Sequence, residues 1–163
     1  MKKLTKKSKV INLGCRLNFF ESEIIENILK KEKDVSKVVI NTCAVTNNAV
    51  QKSIYAVKKA LKDFPNSEVI VTGCASQVEK NRFENLGHIS KIVDNKLKTN
   101  PNSYISEDWV HEQTFNFPSI DYLSTQRTRA MLQIQQGCNH RCTFCIIPYG
   151  RGDAVSLTFT EIS

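Results

Sequence analysis

Three cysteines, Cys138, Cys142 and Cys145, stand in the spacing C-x3-C-x2-C. Thiolate is a soft, strongly donating ligand that suits zinc or iron–sulfur clusters. Structural zinc asks for four protein ligands in a closed tetrahedron, and the fourth here would be His140, squeezed between two of the cysteines. A cubane [4Fe–4S] cluster normally takes four cysteines, so three leave one iron open. An open iron can bind a substrate as well as store an electron.

The other three cysteines each close a strand-like run. Lys9-Val10-Ile11-Asn12-Leu13 leads into Gly14-Cys15, Lys37-Val38-Val39-Ile40 into Asn41-Thr42-Cys43, and Glu68-Val69-Ile70-Val71 into Thr72-Gly73-Cys74. Short β-branched runs bounded by Gly, Asn or Thr are expected to be buried strands. Helical patterns follow them. Residues 21–31 carry Ile24, Ile25, Ile28 and Leu29 on one side. Glu21, Glu23 and Glu26 lie toward the start of that helix and Lys30 and Lys31 at its end, the favourable order for a helix dipole. Residues 48–62 repeat Val50, Ile54, Val57 and Leu61 as an apolar stripe. A shorter helix is expected over 76–85 and a fourth strand over 89–93. Such alternation predicts an α/β fold with a mostly parallel sheet. The loops at the carboxyl ends of its strands line one edge and form the ligand crevice. Neighbouring strands lie about 4.8 Å apart, so cysteines capping three adjacent strands are expected to converge within about 10 Å. The separations of 28 and 31 residues between Cys15, Cys43 and Cys74 match one strand–helix–loop unit each, provided the strands are neighbours.

The chain has 163 residues, 40% of them hydrophobic, enough for one domain with a buried core and the start of a second. Its longest aliphatic runs are pieces such as Val38-Val39-Ile40, whereas a membrane span needs about 18–20 apolar residues, so no membrane association is expected. Lys and Arg outnumber Asp and Glu by 23 to 16, a formal charge of +7. That surplus suits a polyanionic partner such as RNA, and equally a soluble basic surface. Lys2, Lys3, Lys6, Lys7 and Lys9 precede an apolar stretch too short for a signal peptide, and Leu13-Gly14-Cys15 lacks the segment a lipoprotein box requires. The expected location is cytoplasmic, where cysteines bind metal or do chemistry more often than they pair. From residue 96 to 129 the pattern weakens, as in a linker anchored by Trp109, Phe115, Phe117 and Tyr122. A new strand is expected from Ala130, with Leu132 and Ile134 alternating against Met131, Gln133 and Gln135. His88 and His111 read as surface or capping residues, and Arg151 either as a nucleotide or phosphate contact or as a solvated loop arginine.

The C-x3-C-x-aromatic-C string after a strand resembles the radical S-adenosylmethionine (radical-SAM) enzymes. Gly137-Cys138-Asn139, Cys142-Thr143-Phe144-Cys145-Ile146-Ile147-Pro148 and Arg151-Gly152 resemble, more narrowly, the methylthiotransferases. Leu13-Gly14-Cys15 with Asn18, Asn41-Thr42-Cys43 and Thr72-Gly73-Cys74 are similar to that family's N-terminal domain at all three cysteines. The resemblance implies two [4Fe–4S] clusters and S-adenosyl-L-methionine as cofactors. It assigns Cys138, Cys142 and Cys145 to the cluster whose open iron binds S-adenosyl-L-methionine, with Phe144 beside the nucleotide. It assigns Cys15, Cys43 and Cys74 to a second cluster that carries the sulfur to be transferred. Insertion of sulfur at an unactivated C–H bond needs both a radical generator and a sulfur carrier.

Within the family, Glu21-Ser22 and Val45-Thr46 are most similar to the branch acting on threonylcarbamoyladenosine beside the tRNA anticodon. The ribosomal-protein branch shares Arg151-Gly152-Asp153, Val155 and Ser156. The implied organisation is an N-terminal methylthiotransferase α/β domain over 5–95, a linker over 96–129, and a segment over 130–163. That last segment holds only the first strand and cluster loop of a radical-SAM partial (β/α) barrel. A full (β/α)8 barrel takes about 250 residues, whereas 18 residues follow Cys145, and Leu157 stands where relatives commonly have arginine. The expectation is therefore a C-terminally truncated member, inactive alone, whose intact form methylthiolates tRNA. The alternatives are a non-catalytic iron–sulfur-binding fragment, a chain completed by a separate barrel-bearing partner, or a member of the ribosomal-protein branch. An isolated first barrel strand is expected to be frayed or paired elsewhere.

Overall fold

Side chains alternate across a strand, so a run such as Val38-Val39-Ile40 can be buried only between two layers. The computed structural model describes residues 8–31, 35–105, 115–118 and 131–162. It contains a parallel sheet in the order β1 (Lys9–Asn12), β2 (Lys37–Thr42), β3 (Glu68–Gly73) and β4 (Lys91–Ile92). Val39 and Ile70 lie under α1 (Arg16–Lys31), whose Phe20, Ile24, Ile25, Ile28 and Leu29 cover that face. Val38, Ile40, Val69 and Val71 face the other way, onto Val50, Ile54, Val57 and Ala60 of α2 (Asn47–Asp63). Two short helices, α3 (Cys74–Val78) and α4 (Lys80–Glu84), complete this second core with Ala75 and Phe83. The strands step in one direction while α1 and α2 lie on opposite faces. Their two crossovers therefore have opposite hands, and one departs from the usual right-handed rule.

The helix boundaries show what decided them. Thr46 caps α2, its hydroxyl accepting the Ala49 N–H at 3.1 Å. The single helix expected over 76–85 is instead α3 and α4, broken at Glu79 by a non-helical ψ of 43°. Helix α1 starts at Arg16, a turn and more before the expected residue 21, because its inward stripe is partly polar. Asn18, Glu21 and Ser22 share that stripe with the isoleucines and are buried. Glu21 is thus buried on the inward face and lies past the first turn, not at the helix start where the dipole would favour it.

Just beyond β4, residues 93–105 stay packed against the sheet. Helix α5 (Asn102–Ile105) inserts Tyr104 beneath α1, and the Tyr104 hydroxyl donates to the Lys98 carbonyl at 2.7 Å. Phe115 is buried and meets Phe117 edge to face at 5.0 Å. Trp109, His111, Tyr122 and Ala130 lie outside the described residues. Downstream, β5 (Gln135–Gln136) pairs antiparallel with β6 (Val155–Ser156), and Leu157 N–H donates to the Ile134 carbonyl at 2.9 Å. The strand expected from Ala130 is only two residues long among the described residues, and it pairs with its own downstream segment. Between β5 and β6 run the cysteine loop and α6 (Ile147–Arg151), and α7 (Phe159–Ile162) follows. No helix among the described residues is long and apolar enough to cross a membrane.

Candidate metal centre

The sheet order is what a common site for the first three cysteines requires. Cys43 follows β2 directly, Cys74 follows β3 directly, and Thr42 is in register with Gly73, so both cysteines leave the sheet side by side. Cys15 leaves the same edge beyond β1. Cys43 and Cys74 are buried and Cys15 is exposed. Gly73 turns strand into helix in no space at all. Its φ is +101°, and a Cβ there would stand 2.3 Å from the Thr42 carbonyl oxygen.

Short polar side chains stitch this edge together, tying the strand ends to one another and to the starts of the helices. Asn18 Nδ2 donates to the Thr42 carbonyl at 2.8 Å, and Asn41 Nδ2 donates to the Asn18 carbonyl at 2.9 Å. The Thr42 hydroxyl donates to the Thr72 carbonyl at 2.7 Å and accepts the Ser76 N–H at 3.1 Å. The Thr72 hydroxyl donates to the Val93 carbonyl at 2.8 Å, and Cys43 N–H donates to Ser53 Oγ at 3.2 Å.

The shared edge does not by itself close a cage. Among the described residues no three His, Cys, Asp or Glu side chains stand close enough to hold a metal ion, and all six cysteines are free. This applies equally to Cys138, Cys142 and Cys145. Their loop opens at Gly137, whose φ of +74° and close approach to the Asp153 carbonyl admit no side chain. Cys138 N–H donates to the Gly152 carbonyl at 3.1 Å and Cys145 N–H to the Cys142 carbonyl at 3.0 Å. Arg141 braces the loop through Asp153 at 2.5 Å and the Cys138 carbonyl at 2.9 Å. Cys142 is exposed, Cys138 and Cys145 are half-buried, and Phe144 is 92% exposed. His140 and His88 are exposed.

The feature that sequence reasoning missed is a buried ionic cluster behind the sheet edge. Arg151 grips Glu21 with both arms, Nη1 to Oε1 at 2.8 Å and Nη2 to Oε2 at 3.0 Å. It also donates to Gln136 Oε1 at 2.8 Å and to Asn18 Oδ1. Lys98 Nζ stands 2.5 Å from Glu21 Oε2, and the side chains of Lys98 and Glu21 are both 0% exposed. Burial opposes the charge of Arg151, but the hydrogen bonds and charge of Glu21 outweigh it and hold the guanidinium above its ordinary pKa. Burial also pulls Lys98 below its ordinary value, against the attraction of Glu21. Arg151 is thus neither solvated nor free for a phosphate, which corrects both sequence expectations for it. It locks α6 and β5 onto α1 across 130 residues of chain. At the same contact, Gly150 lies against Cys74, where a Cβ would come within 3.1 Å of the Cys74 Cβ.

The donor set fits an iron–sulfur group in kind: three thiols on adjacent strand ends, with buried cations close behind. The profile of the uncharacterized protein family UPF0004 matches residues 7–94, the strands, helices and cysteines of this edge. A threonylcarbamoyladenosine tRNA methylthiotransferase of Rickettsia prowazekii is 35% identical over 168 residues, covering 96% of this chain and 38% of the relative. The chain belongs to the radical-SAM methylthiotransferase family. Two other members illustrate its breadth. A threonylcarbamoyladenosine tRNA methylthiotransferase of Bacillus subtilis is 34% identical over 86% of this chain and 35% of its own length. A ribosomal protein uS12 methylthiotransferase of Shigella flexneri is 36% identical over 99% of this chain and 40% of its own. This methylthiotransferase-family chain therefore spans well under half the length of these relatives.

Proposed function

We propose that the chain is the cluster-bearing N-terminal part of a methylthiotransferase acting on threonylcarbamoyladenosine beside the tRNA anticodon. The observation that carries this reading is the placement of Cys15, Cys43 and Cys74 at the carboxyl ends of three adjacent parallel strands. These residues would hold one [4Fe–4S] cluster, and Cys138, Cys142 and Cys145 a second one that binds S-adenosyl-L-methionine, with Phe144 against the nucleotide. When bound, these groups supply a radical generator and a transferable sulfur. The chain's own part is to present the thiols. Gly73 brings Cys74 out of the sheet beside Cys43, Gly137 opens the second loop, and the Arg151–Glu21 pair keeps the two cysteine-bearing segments together. The formal charge of +7 suits an RNA-linked substrate. Domain limits of 5–95, 96–129 and 130–163 are part of this proposal, as is a cytoplasmic location.

Further barrel structure, in the same polypeptide or a separate one, would cover Leu132, Ile134, Phe144 and Phe159, all exposed. The ribosomal-protein branch is the second reading, favoured by the near-complete coverage of this chain by the uS12 methylthiotransferase. Disruption of the gene distinguishes the two. Loss of the methylthio group from tRNA threonylcarbamoyladenosine, read by nucleoside mass spectrometry, is the expected result. Its loss from ribosomal protein uS12 instead assigns the second branch, and no loss from either overturns both.

A further inference from the structure

Two cations and one carboxylate make an unbalanced buried cluster. Lys98, Arg151 and Glu21 together carry one surplus positive charge, and the side chains of all three are at most 4% exposed. A buried charge left without a counter-ion is unfavourable, so an anion nearby stabilises it. Cys74 lies beside this cluster, since Gly150, the residue before Arg151, packs directly against it. A second observation points the same way. Asn95 is 1% exposed and its Nδ2 donates to Cys74 Sγ at 3.5 Å and to the Gly150 carbonyl. Asn95 Oδ1 has no hydrogen-bond partner among the described residues, so the amide is held by its donor side alone.

We propose that Asn95 and Lys98 are positioning residues for the Cys15–Cys43–Cys74 cluster: Asn95 donates a hydrogen bond to the Cys74 thiolate, and Lys98 supplies the counter-charge left over from the Glu21–Arg151 pair. This rests on the reading of those cysteines as cluster ligands. Reduction adds negative charge to a thiolate-bound cluster. A donor to the sulfur and a nearby cation both stabilise the reduced form and raise its potential. Neither residue touches the reacting atoms. Their role is to make a sulfur-carrying cluster easier to reduce and to keep the Cys74 thiolate oriented at the edge. The Gly150 bond also couples this site to the segment that carries the second cysteine loop.

The test uses the full chain carrying Cys138→Ala, Cys142→Ala and Cys145→Ala, so that only the N-terminal site remains. Iron per chain and the midpoint potential are measured after anaerobic reconstitution, for this parent and for Asn95→Asp, Lys98→Met and Lys59→Met. Lys59 is a solvent-exposed control paired with Asp63. Asn95→Asp and Lys98→Met are expected to retain iron and to be at least tenfold less reduced at a fixed potential. That is a negative shift of about 59 mV or more for a one-electron couple. Lys59→Met should match the parent. Full iron with unchanged potentials in both variants overturns the inference and leaves the cluster reading standing. A parent that binds no iron overturns both. If Asn95→Asp fails to fold, Lys98→Met alone decides between the same two outcomes.

Discussion

Removing the carboxylate of Glu21 is the sharpest perturbation of the ionic cluster, because it strands two buried cations at once. Breaking a buried pair by deleting one partner costs about 3–5 kcal/mol. Glu21→Gln keeps the shape and offers Arg151 and Lys98 only a neutral acceptor, which places it at the upper end of that range. Arg151→Met leaves Glu21 still paired with Lys98 at 2.5 Å, which places it at the lower end. With a urea slope of about 2 kcal/mol per molar, losses of this size move the midpoint by about 1.5–2.5 M. Domains of this kind are stable by about 5–15 kcal/mol, so Glu21→Gln removes a large share of the total. The assay is equilibrium urea unfolding at neutral pH, followed by far-ultraviolet circular dichroism. Arg151→Met should also free residues 131–162 to limited proteolysis while the sheet stays protected, since the guanidinium is what ties α6 to α1. Replacing all three partners together, as Glu21→Leu, Lys98→Met and Arg151→Met, should recover most of the loss, because no charge is then stranded. A Glu21→Gln loss below about 1 kcal/mol, or one smaller than that of Arg151→Met, would refute the reasoning.

Other expectations follow from the same geometry. Gly73→Ala should destabilise the chain by about 1–3 kcal/mol from backbone strain alone, and more from the contact with Thr42, in thermal unfolding. Thr46→Ala removes the cap of α2 and should cost about 0.5–2 kcal/mol in the same measurement. The folded-state pKa of Lys98 lies below its ordinary value of 10.5, so between the two the unfolded chain binds more protons. Stability from this group therefore rises as pH climbs through that window toward 10.5 and falls as pH drops through it. Lys98→Met should remove that slope in urea titrations across the alkaline range, and an unchanged slope would count against the burial argument.

How much of this was legible in the sequence differs by kind of interaction. The three strands, their order of appearance and their terminal cysteines could be read because a buried parallel strand is written in consecutive residues, as in Val38-Val39-Ile40. Their adjacency had to be assumed, and the sheet order supplies it. Helix α2 was legible from its apolar spacing to within a residue at either end. Glu21, Lys98 and Arg151 were not, because their meaning lies in contacts between segments 77 to 130 residues apart, with no local period. A signal was present all the same. Asn18, Glu21 and Ser22 fall on the helical stripe of Ile25, Ile28 and Leu29, and a polar residue on an apolar stripe needs a partner. Asn95 lies at the edge of the stretch with the weakest pattern, and nothing local marks it. The Arg151 reading failed for the opposite reason: an arginine beside Gly152 in a polar loop looks solvated until α6 is seen against α3.

The proposed function stands on the strand-end cysteines and the loop cysteines each holding a cluster. Iron counted per chain after anaerobic reconstitution tests it most directly. About eight irons are expected in the unmodified chain and about four after Cys138, Cys142 and Cys145 are changed to Ala, with four irons per cluster. No bound iron in the unmodified chain, or none left after that triple substitution, would contradict it.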